Sequence, residues 1–358
     1  MYTHQYLEEF TTLLFEKMGC PPADAKAVAE LLVRAELRGL SSHGMMRVKD
    51  YFLLVEAGRI NTKPNVRIVH ETPSTATVDG DNALGPVAAK RSMEIAIEKA
   101  KNVGTGWVAT KGSNHFGIAG YYAMMALEYD MVGISMTNAN PLVAPTNSTS
   151  KFLGTNPIAV AIPTQNQPAF VADFATTPIA RGKLAIMGKK GQSIDYGFVQ
   201  DKHGNPSTNP DILLDGGAIL PLGGSADHAS HKGYCMGSLI DIFSSVFSGA
   251  NFGPFVPPQV AYLPLLEKSV GEGLGHFFGA MRVDAFRPAS EFKMKMDEWI
   301  ETFRGAESIQ GQPKIVIPGD PERLNEERLG REGITIIAPV IKDLADIAGK
   351  LNVPFDVR

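Results

Sequence analysis

Cysteine is nearly absent, with two in 358 residues, Cys20 and Cys235. Neither sits in a Cys-x-x-Cys pair, which excludes a disulfide framework and a zinc knuckle and predicts two reduced, buried side chains. Charge of one sign is also lacking. The 34 Lys and Arg against 38 Asp and Glu leave a formal charge of -4, and no block of like charges offers a face to nucleic acid or an anionic membrane. No run approaches the ~18 apolar residues of a membrane span. The first ten residues hold Glu8 and Glu9 in place of an apolar leader, so a cytoplasmic protein with no nucleic-acid or membrane partner is expected. What is present, 44% apolar and 20% charged residues, suffices for a core in each of two modest domains.

The first 75 residues read as helices. Thr3 is placed to cap a segment with Leu7, Phe10, Leu14 and Met18 on one face, stopped by Gly19. Residues 23–37 carry Val28, Leu31, Leu32 and Ala35 at helical spacing, with Gly39 as the stop. Ser41 or Ser42 is predicted to cap a third helix over residues 43–56. From about Ala76 strands and helices alternate: 86–101 and 120–129 helical, 107–110, 132–137, 158–162 and 170–173 extended. A Gly-rich stretch, 214–224, precedes a helix over 232–247 with so few charges that burial is expected. A strand at 277–283, a helix capped by Ser290, a strand at 314–317 and helices at 322–328 and 340–350 complete the pattern.

Residues Gly104-Thr-Gly106-Trp-Val-Ala109 satisfy the Gly-x-Gly-x-x-Ala dinucleotide fingerprint in letters only. A Rossmann turn follows a strand and opens a helix, so that the helix N-terminus faces the pyrophosphate. Here a helix precedes the glycines and a strand follows, which makes them a helix stop. No phosphate loop of the Gly-x-x-x-x-Gly-Lys type exists either, so a phosphate site must be built another way.

Four clusters can carry chemistry. In Arg38-Gly-Leu-Ser-Ser-His43-Gly-Met-Met-Arg47, a helix starting near His43 puts His43 and Arg47 on one face at i and i+4. A histidine in a first helical turn has its charged form disfavoured by the helix dipole, a tuning expected to suit proton exchange near neutral pH, and an arginine fork matches a carboxylate. Alone, the same letters describe a capping histidine and a solvated arginine. Lys111-Gly-Ser-Asn-His115-Phe116-Gly117-Ile-Ala-Gly120 sits at a strand-to-helix turn, where α/β folds place ligands. Asp173-Phe174-Ala175-Thr176-Thr177-Pro178 leaves a strand with hydroxyls and amides suited to a phosphate or ribose. His228-Ala-Ser-His231-Lys232-Gly233-Tyr-Cys235 brings a helix start and a lysine together, a combination that favours an anion. His203, His228 and His231 match no metal-ligand spacing, so no metal is expected.

In this order, Arg38 to Gly44, Asn114 to Gly117, Gly154-Thr-Asn-Pro-Ile-Ala159, Asp173 to Thr176 and Lys232-Gly-Tyr234 resemble the second type of malate/L-lactate dehydrogenase family. That family includes ureidoglycolate, sulfolactate and diketogulonate enzymes and reductases of cyclic imino acids. The resemblance runs the full length. It implies an α/β fold with a non-Rossmann mixed-sheet NAD(P)-binding domain (76–289), packed on a mostly helical domain made by both chain ends (1–75 with 290–358), and a homodimer. It further implies hydride transfer between NAD, or NADP, and a small 2-hydroxy or 2-oxo acid. Carried over residue by residue, His43 is the acid/base with His115 as second choice, and Arg47 orients substrate. His43, His115, Phe116 and Gly117 meet the nicotinamide. Further cofactor contacts fall on Asp173, Phe174, Ala175, Thr176 and Thr177, on His231, Lys232 and Gly233, and on Pro318, Gly319 and Asp320. Cys235 stands where glycine is common, and Gly273-Leu-Gly275-His276 departs from the usual polar pattern; both bear on the substrate pocket. Two other readings share these residues: a cyclic ketimine reductase using NADPH, and a nucleotide-binding regulatory protein without turnover.

Overall fold

Thr3 caps the first helix as its position predicts. Its side-chain oxygen accepts from the Tyr6 N–H at 3.2 Å, and α1 runs His4–Lys17. The computed structural model describes residues 1–357, and for residues 185 and 189 the backbone alone. Helix α2, Pro22–Leu37, starts on a proline, whose missing N–H has no partner to lose in a first turn.

The third helix departs from expectation. Residues Ser41–His43 form a 3-10 turn, and α3 begins only at Arg47 and runs to Glu56. The cause is a contact from the preceding helix. The buried Glu36 carboxylate accepts from Ser41 Oγ at 2.6 Å and from the Met45 N–H at 2.8 Å, pinning both sides of Gly44. A Cβ on Gly44 would lie 2.3 Å from Glu36 Oε1, so the pinned turn admits no side chain there.

The middle of the chain builds a sheet from β1 (Arg67–Glu71), β2 (Thr75–Asp79), β3 (Thr105–Ser113), β4 (Met131–Thr137), β5 (Ile158–Ile162), β6 (Phe170–Phe174) and β10 (Leu274–Arg282). Its order is β1-β2-β3-β10-β4-β5-β6. Only β2 and β3 run parallel, joined through α4 (Gly85–Val103), and every other pair is antiparallel. The sheet is therefore mixed and not of Rossmann type. Gly104 is the left-handed stop of α4, at φ 91°, and β3 follows at once, so the fingerprint-like glycines lie at the wrong end of a helix for a phosphate. Helix α5, Ala119–Met125, covers the same sheet. A smaller lobe holds α6 (Arg181–Lys189) and the short strands β7 (Val199–Gln200), β8 (Pro206–Ser207) and β9 (Ala218–Ile219) around Leu184, Ile194 and Ile212.

The two chain ends share one core. Tyr2 and Ile334 exchange backbone hydrogen bonds of 2.9 and 2.8 Å. Leu7, Phe10 and Leu14 of α1 pack with Tyr51 and Leu54 of α3 and with Val340, Leu344 and Ile347 of α10 (Ala338–Leu351).

Four further expectations need correction. Helix α8 (Ala289–Arg304) starts after Pro288, with Ser290 already inside it, because proline fixes a suitable entry angle without a side-chain cap. It packs on the sheet layer, where Asp297 accepts three N–H groups from residues 165–167 and Trp299 meets Phe170 edge-on. Residues 314–317 pair with no strand; the Val171 N–H donates to the Pro318 carbonyl at 3.1 Å, before α9, Asp320–Glu332, begins. Helix α7, Ser230–Asp241, continues through a π-turn at Ile242–Val246, and its outer face is open: Leu239, Val246 and Phe247 are 56%, 61% and 60% exposed. Cys235 on this helix is likewise exposed, while Cys20 is buried. A shortage of charge suits a buried helix and an unpartnered apolar face equally, and spacing alone does not separate them.

Candidate active site

The 3-10 turn of residues 41–43, the start of α3 and the loop after β3 converge on one cleft. Ser42, His43, Arg47, His115, Phe116 and Gly117 line it on one side, with Thr137–Asn140, Thr155, Arg181 and Tyr262 opposite, around a volume of about 320 Å³. The rings of His43 and His115 stack with centroids 5.5 Å apart and planes 21° from parallel. Gly117 sits at φ 81°, and a Cβ there would strike Leu31 of α2 at 2.4 Å, so the loop after β3 packs directly on that helix.

Each polar group on the first wall has a holder. Ser42 Oγ lies 2.9 Å from His43 Nδ1. Tyr51, buried in α3, places its hydroxyl 2.9 Å from His115 Nδ1 and 3.2 Å from the His115 carbonyl. Arg47 donates from Nε to the Ser42 carbonyl at 2.8 Å and from Nη1 to Asp50 at 2.9 Å. Of the five N–H groups of a guanidinium, three remain, one on Nη1 and two on Nη2, enough to bind a carboxylate.

Burial pushes His43 down to about 4, helped by the Arg47 charge. The helix-dipole argument fails here, since His43 lies ahead of α3 and not in its first turn. Burial also carries His115 well below its usual value, with Arg47, His43 and His276 adding to it. Both imidazoles are thus neutral at pH 7.

Behind the cleft, Phe116 stacks on His276 at 4.7 Å. His276 is fully buried between two hydroxyls, with Nδ1 2.8 Å from Thr137 Oγ1 and Nε2 2.7 Å from Ser113 Oγ. Thr137 has one proton and faces the Asn138 and Gly275 carbonyls, each at 3.0 Å. It therefore donates to a carbonyl and accepts from His276 Nδ1–H, which leaves Nε2 to accept from Ser113. Burial holds His276 neutral, at about 3.

The other sequence-selected residues lie beside this cleft and not in its lining. The Thr176 N–H donates to the carbonyl of Thr155, a lining residue, at 2.9 Å. Thr176 and Thr177 are buried, and their hydroxyls bond to main-chain carbonyls of Thr155, Asn156 and Ile179. Phe174 is exposed and Ala175 half-buried next to them. Asp173 Oδ2 accepts the Gly120 N–H at 2.7 Å, which caps α5. Crowding of its carboxyl raises Asp173 to about 6, opposed by that bond and by Arg38. The Leu222 N–H donates to the Thr176 carbonyl at 2.9 Å, and a Cβ on Gly233 would strike the Leu222 carbonyl at 2.2 Å, so the start of α7 packs onto the 176–177 segment. His231 and Lys232 are exposed there, and no side chain caps α7. Pro318 and Gly319 close on the edge strand β6 at Val171, and Asp320 is held by two bonds from Arg304 Nη2 at 2.8 and 2.9 Å.

Tyr51, His276, Arg181 and Tyr262 were not among the residues selected from sequence. Tyr51 carried a usable signal, since it follows Arg47 by four residues on a predicted helix. His276 showed only as a departure from the usual polar pattern, and Arg181 and Tyr262 reach the site through long-range folding, which leaves no local trace.

The family model described as malate/L-lactate dehydrogenase matches residues 2–345. A malate dehydrogenase from Pyrococcus horikoshii is 40% identical over 348 residues, covering 97% of this chain and 94% of the relative. The solved malate dehydrogenase structure from that organism superposes at TM-score 0.89 with 38% identity, covering 99% and 96% of the two chains. An L-sulfolactate dehydrogenase from Methanocaldococcus jannaschii is 40% identical over 339 residues, covering 95% and 94%. A delta1-piperideine-2-carboxylate reductase structure from Pseudomonas syringae is more distant, at 26% identity and TM-score 0.83 over 97% and 99% of the two chains. The chain belongs to the malate/L-lactate dehydrogenase family and is an oxidoreductase of the 2-hydroxy-acid type.

Proposed function

We propose that the cleft binds a linear 2-hydroxy or 2-oxo acid of the malate or sulfolactate kind, with His43 as the group that moves the proton and Arg47 as the group that holds the 2-carboxylate. The observation that carries this is the convergence of a neutral histidine and a carboxylate-matching guanidinium edge in one cleft. Family membership carries a nicotinamide cofactor, and NAD is the form proposed, with NADP the alternative. When bound, nicotinamide accepts or donates the hydride.

The residues on hand suit a dinucleotide. A pyrophosphate needs free N–H groups and an unbalanced cation. The α5 start is blocked by Asp173, whereas the α7 start has no side-chain cap and exposes Lys232 and His231 beside it. In this reading Lys232, His231 and Gly233 hold phosphate, and Thr176 and Thr177 shape the wall through their bonded hydroxyls. Asp173, Phe174, Ala175 and the 318–320 turn flank it, while His115 to Gly117 border the nicotinamide end.

In hydroxy-acid oxidation, His43 is ready as a base because it is neutral. With Nδ1 engaged by Ser42 Oγ, Nε2 is the nitrogen left to take the hydroxyl proton. In reduction His43 must be protonated first. A carboxylate on Arg47 offsets the charge that disfavours this, so substrate binding itself raises the proton affinity of His43. His115, fixed by Tyr51, borders the reacting carbon and is the second choice for the proton.

The division into 1–75 with 290–358 and 76–289 is part of the same proposal; the core that residues 1–75 share with residues 334–353 supports it, whereas α8 packs on the sheet layer and argues for a boundary beyond residue 304. A homodimer is proposed from the apolar outer face of α7. A cytoplasmic location is proposed from the nicotinamide pool such an enzyme draws on, with cell fractionation as its test.

The deciding experiment follows NADH and NADPH absorbance with purified protein against pyruvate, oxaloacetate, other 2-oxo acids and cyclic imino acids. Oxidation with a linear 2-oxo acid is expected. Turnover of cyclic imines alone replaces the reaction, and silence across the panel with cofactor bound favours the regulatory reading.

A further inference from the structure

The cleft holds a second arginine. Arg181 heads α6 between Ile179 and Leu184, both buried in the small lobe. Its neighbour Gly182 packs on Ser42, where an added Cβ would sit 3.5 Å from Ser42 Cβ. Arg181 is thereby placed beside the turn that carries His43. Its Nη2 donates to the Tyr262 hydroxyl at 3.0 Å, across the mouth of the cleft.

The two arginines differ in electrical state. Arg47 is paired with Asp50 at 2.9 Å. Arg181 forms no ion pair among the described residues and is steadied by the Tyr262 hydroxyl, both side chains being exposed to solvent. With both histidines neutral, the uncompensated positive charge of the cleft resides on Arg181. One carboxylate on the free edge of Arg47 leaves that charge unanswered. A molecule with a second anionic group, carboxylate or sulfonate, answers it, and on so exposed a guanidinium, screened by solvent, this strengthens binding about 2- to 5-fold.

From this arrangement we infer that Arg181, held by Tyr262, is a specificity-determining residue that selects dianionic 2-hydroxy and 2-oxo acids over monoanionic ones. The inference rests on the cleft being the hydroxy-acid site. An anion on Arg181 has a second possible source, a cofactor phosphate, and the test separates the two.

NADH and a hydroxy acid are both reduced and form a dead-end complex, so binding is measurable without turnover. Calorimetric titration of L-malate and of L-lactate into NADH-saturated protein is the measurement, with NADPH in its place if that form binds more tightly. Wild type is expected to bind malate about 2- to 5-fold tighter than lactate. In Arg181→Gln that preference is lost, with NADH affinity retained. Arg181→Lys restores most of the preference, and Tyr262→Phe, which keeps the ring and removes the hydroxyl, narrows it. Equal binding of both acids by wild type, binding of neither, or an undiminished preference in Arg181→Gln overturns the inference. Weakened NADH binding with the preference intact assigns Arg181 to a phosphate and overturns it too. Turnover of a linear 2-oxo acid without discrimination removes Arg181 and leaves the reaction standing; discrimination in binding without turnover does the reverse.

Discussion

The imidazoles of His43 and His115 lie face to face, 5.5 Å between centroids, and each has a different oxygen at Nδ1: Ser42 Oγ for His43 and Tyr51 Oη for His115. At this spacing a proton on one ring disfavours a proton on the other, so the pair carries at most one charge near neutrality. That makes the two histidines separable by mutation.

His43→Ala is expected to lower turnover by ~100-fold or more while NADH binding survives. Stopped-flow single turnovers together with NADH fluorescence titration measure both. Near-normal turnover in this variant, with a large loss in His115→Ala, transfers the proton step to His115.

The pH dependence of oxidation follows from burial. His43 works as a base only when neutral, and its value of about 4 keeps it so across the neutral range. The kcat/KM for hydroxy-acid oxidation should stay flat down to about pH 5 and fall only below it. Reduction needs the protonated form and declines as pH rises. An acid limb near the unperturbed value of about 6.5 would mean a solvated His43.

Stability carries a related signature at His276. Burial holds its folded value at about 3, below the ordinary 6.5 of an imidazole, so between these pH values the unfolded chain binds the extra proton. The contribution is complete above 6.5 and is lost as pH falls, by at most about 1.4 kcal/mol per pH unit. Asp241, raised to about 6 by burial, acts with the opposite sign over roughly the same range. Urea unfolding of wild type and His276→Asn at pH 7 and pH 5 isolates the histidine: the variant starts less stable and loses less on acidification. Parallel losses in both proteins would remove His276 from the titration.

If α7 forms the contact between two copies, Leu239→Lys buries a charge in that contact. Dissociation should strengthen by ~30-fold or more, as for a central interface residue, and sedimentation velocity at falling concentration reads it. A wild type that sediments as one chain at all concentrations rules this face out.

Much of the fold was legible because local signals agreed with tertiary ones. Thr3, Gly19 and Gly104 stop and start their elements as their chemistry requires, and the misplaced dinucleotide fingerprint was rejected on the order of helix and strand alone. Where a distant residue intervenes, reading failed. The break at Gly44 comes from the Glu36 carboxylate, and periodicity over residues 43–56 carries no trace of it. Residues 314–317 look like a strand by composition, but the β6 edge beside them takes a single bond, from Val171 to Pro318. His43, Arg47 and His115, which the fold brings to one cleft, were singled out because each sits in a dense polar block. Tyr51 offered only its spacing from Arg47, His276 only a break in a polar pattern, and Arg181, with an alanine and a glycine on either side, becomes visible only once the chain is folded.

The bridge between Tyr2 and Ile334 also orders events during synthesis. Helices α1 to α3 are made well before residues 334–353, and their apolar faces have no complete partner until those residues emerge. Until then the segment carrying His43 and Arg47 rests on an unfinished core, the kind of exposed apolar surface that chaperones bind.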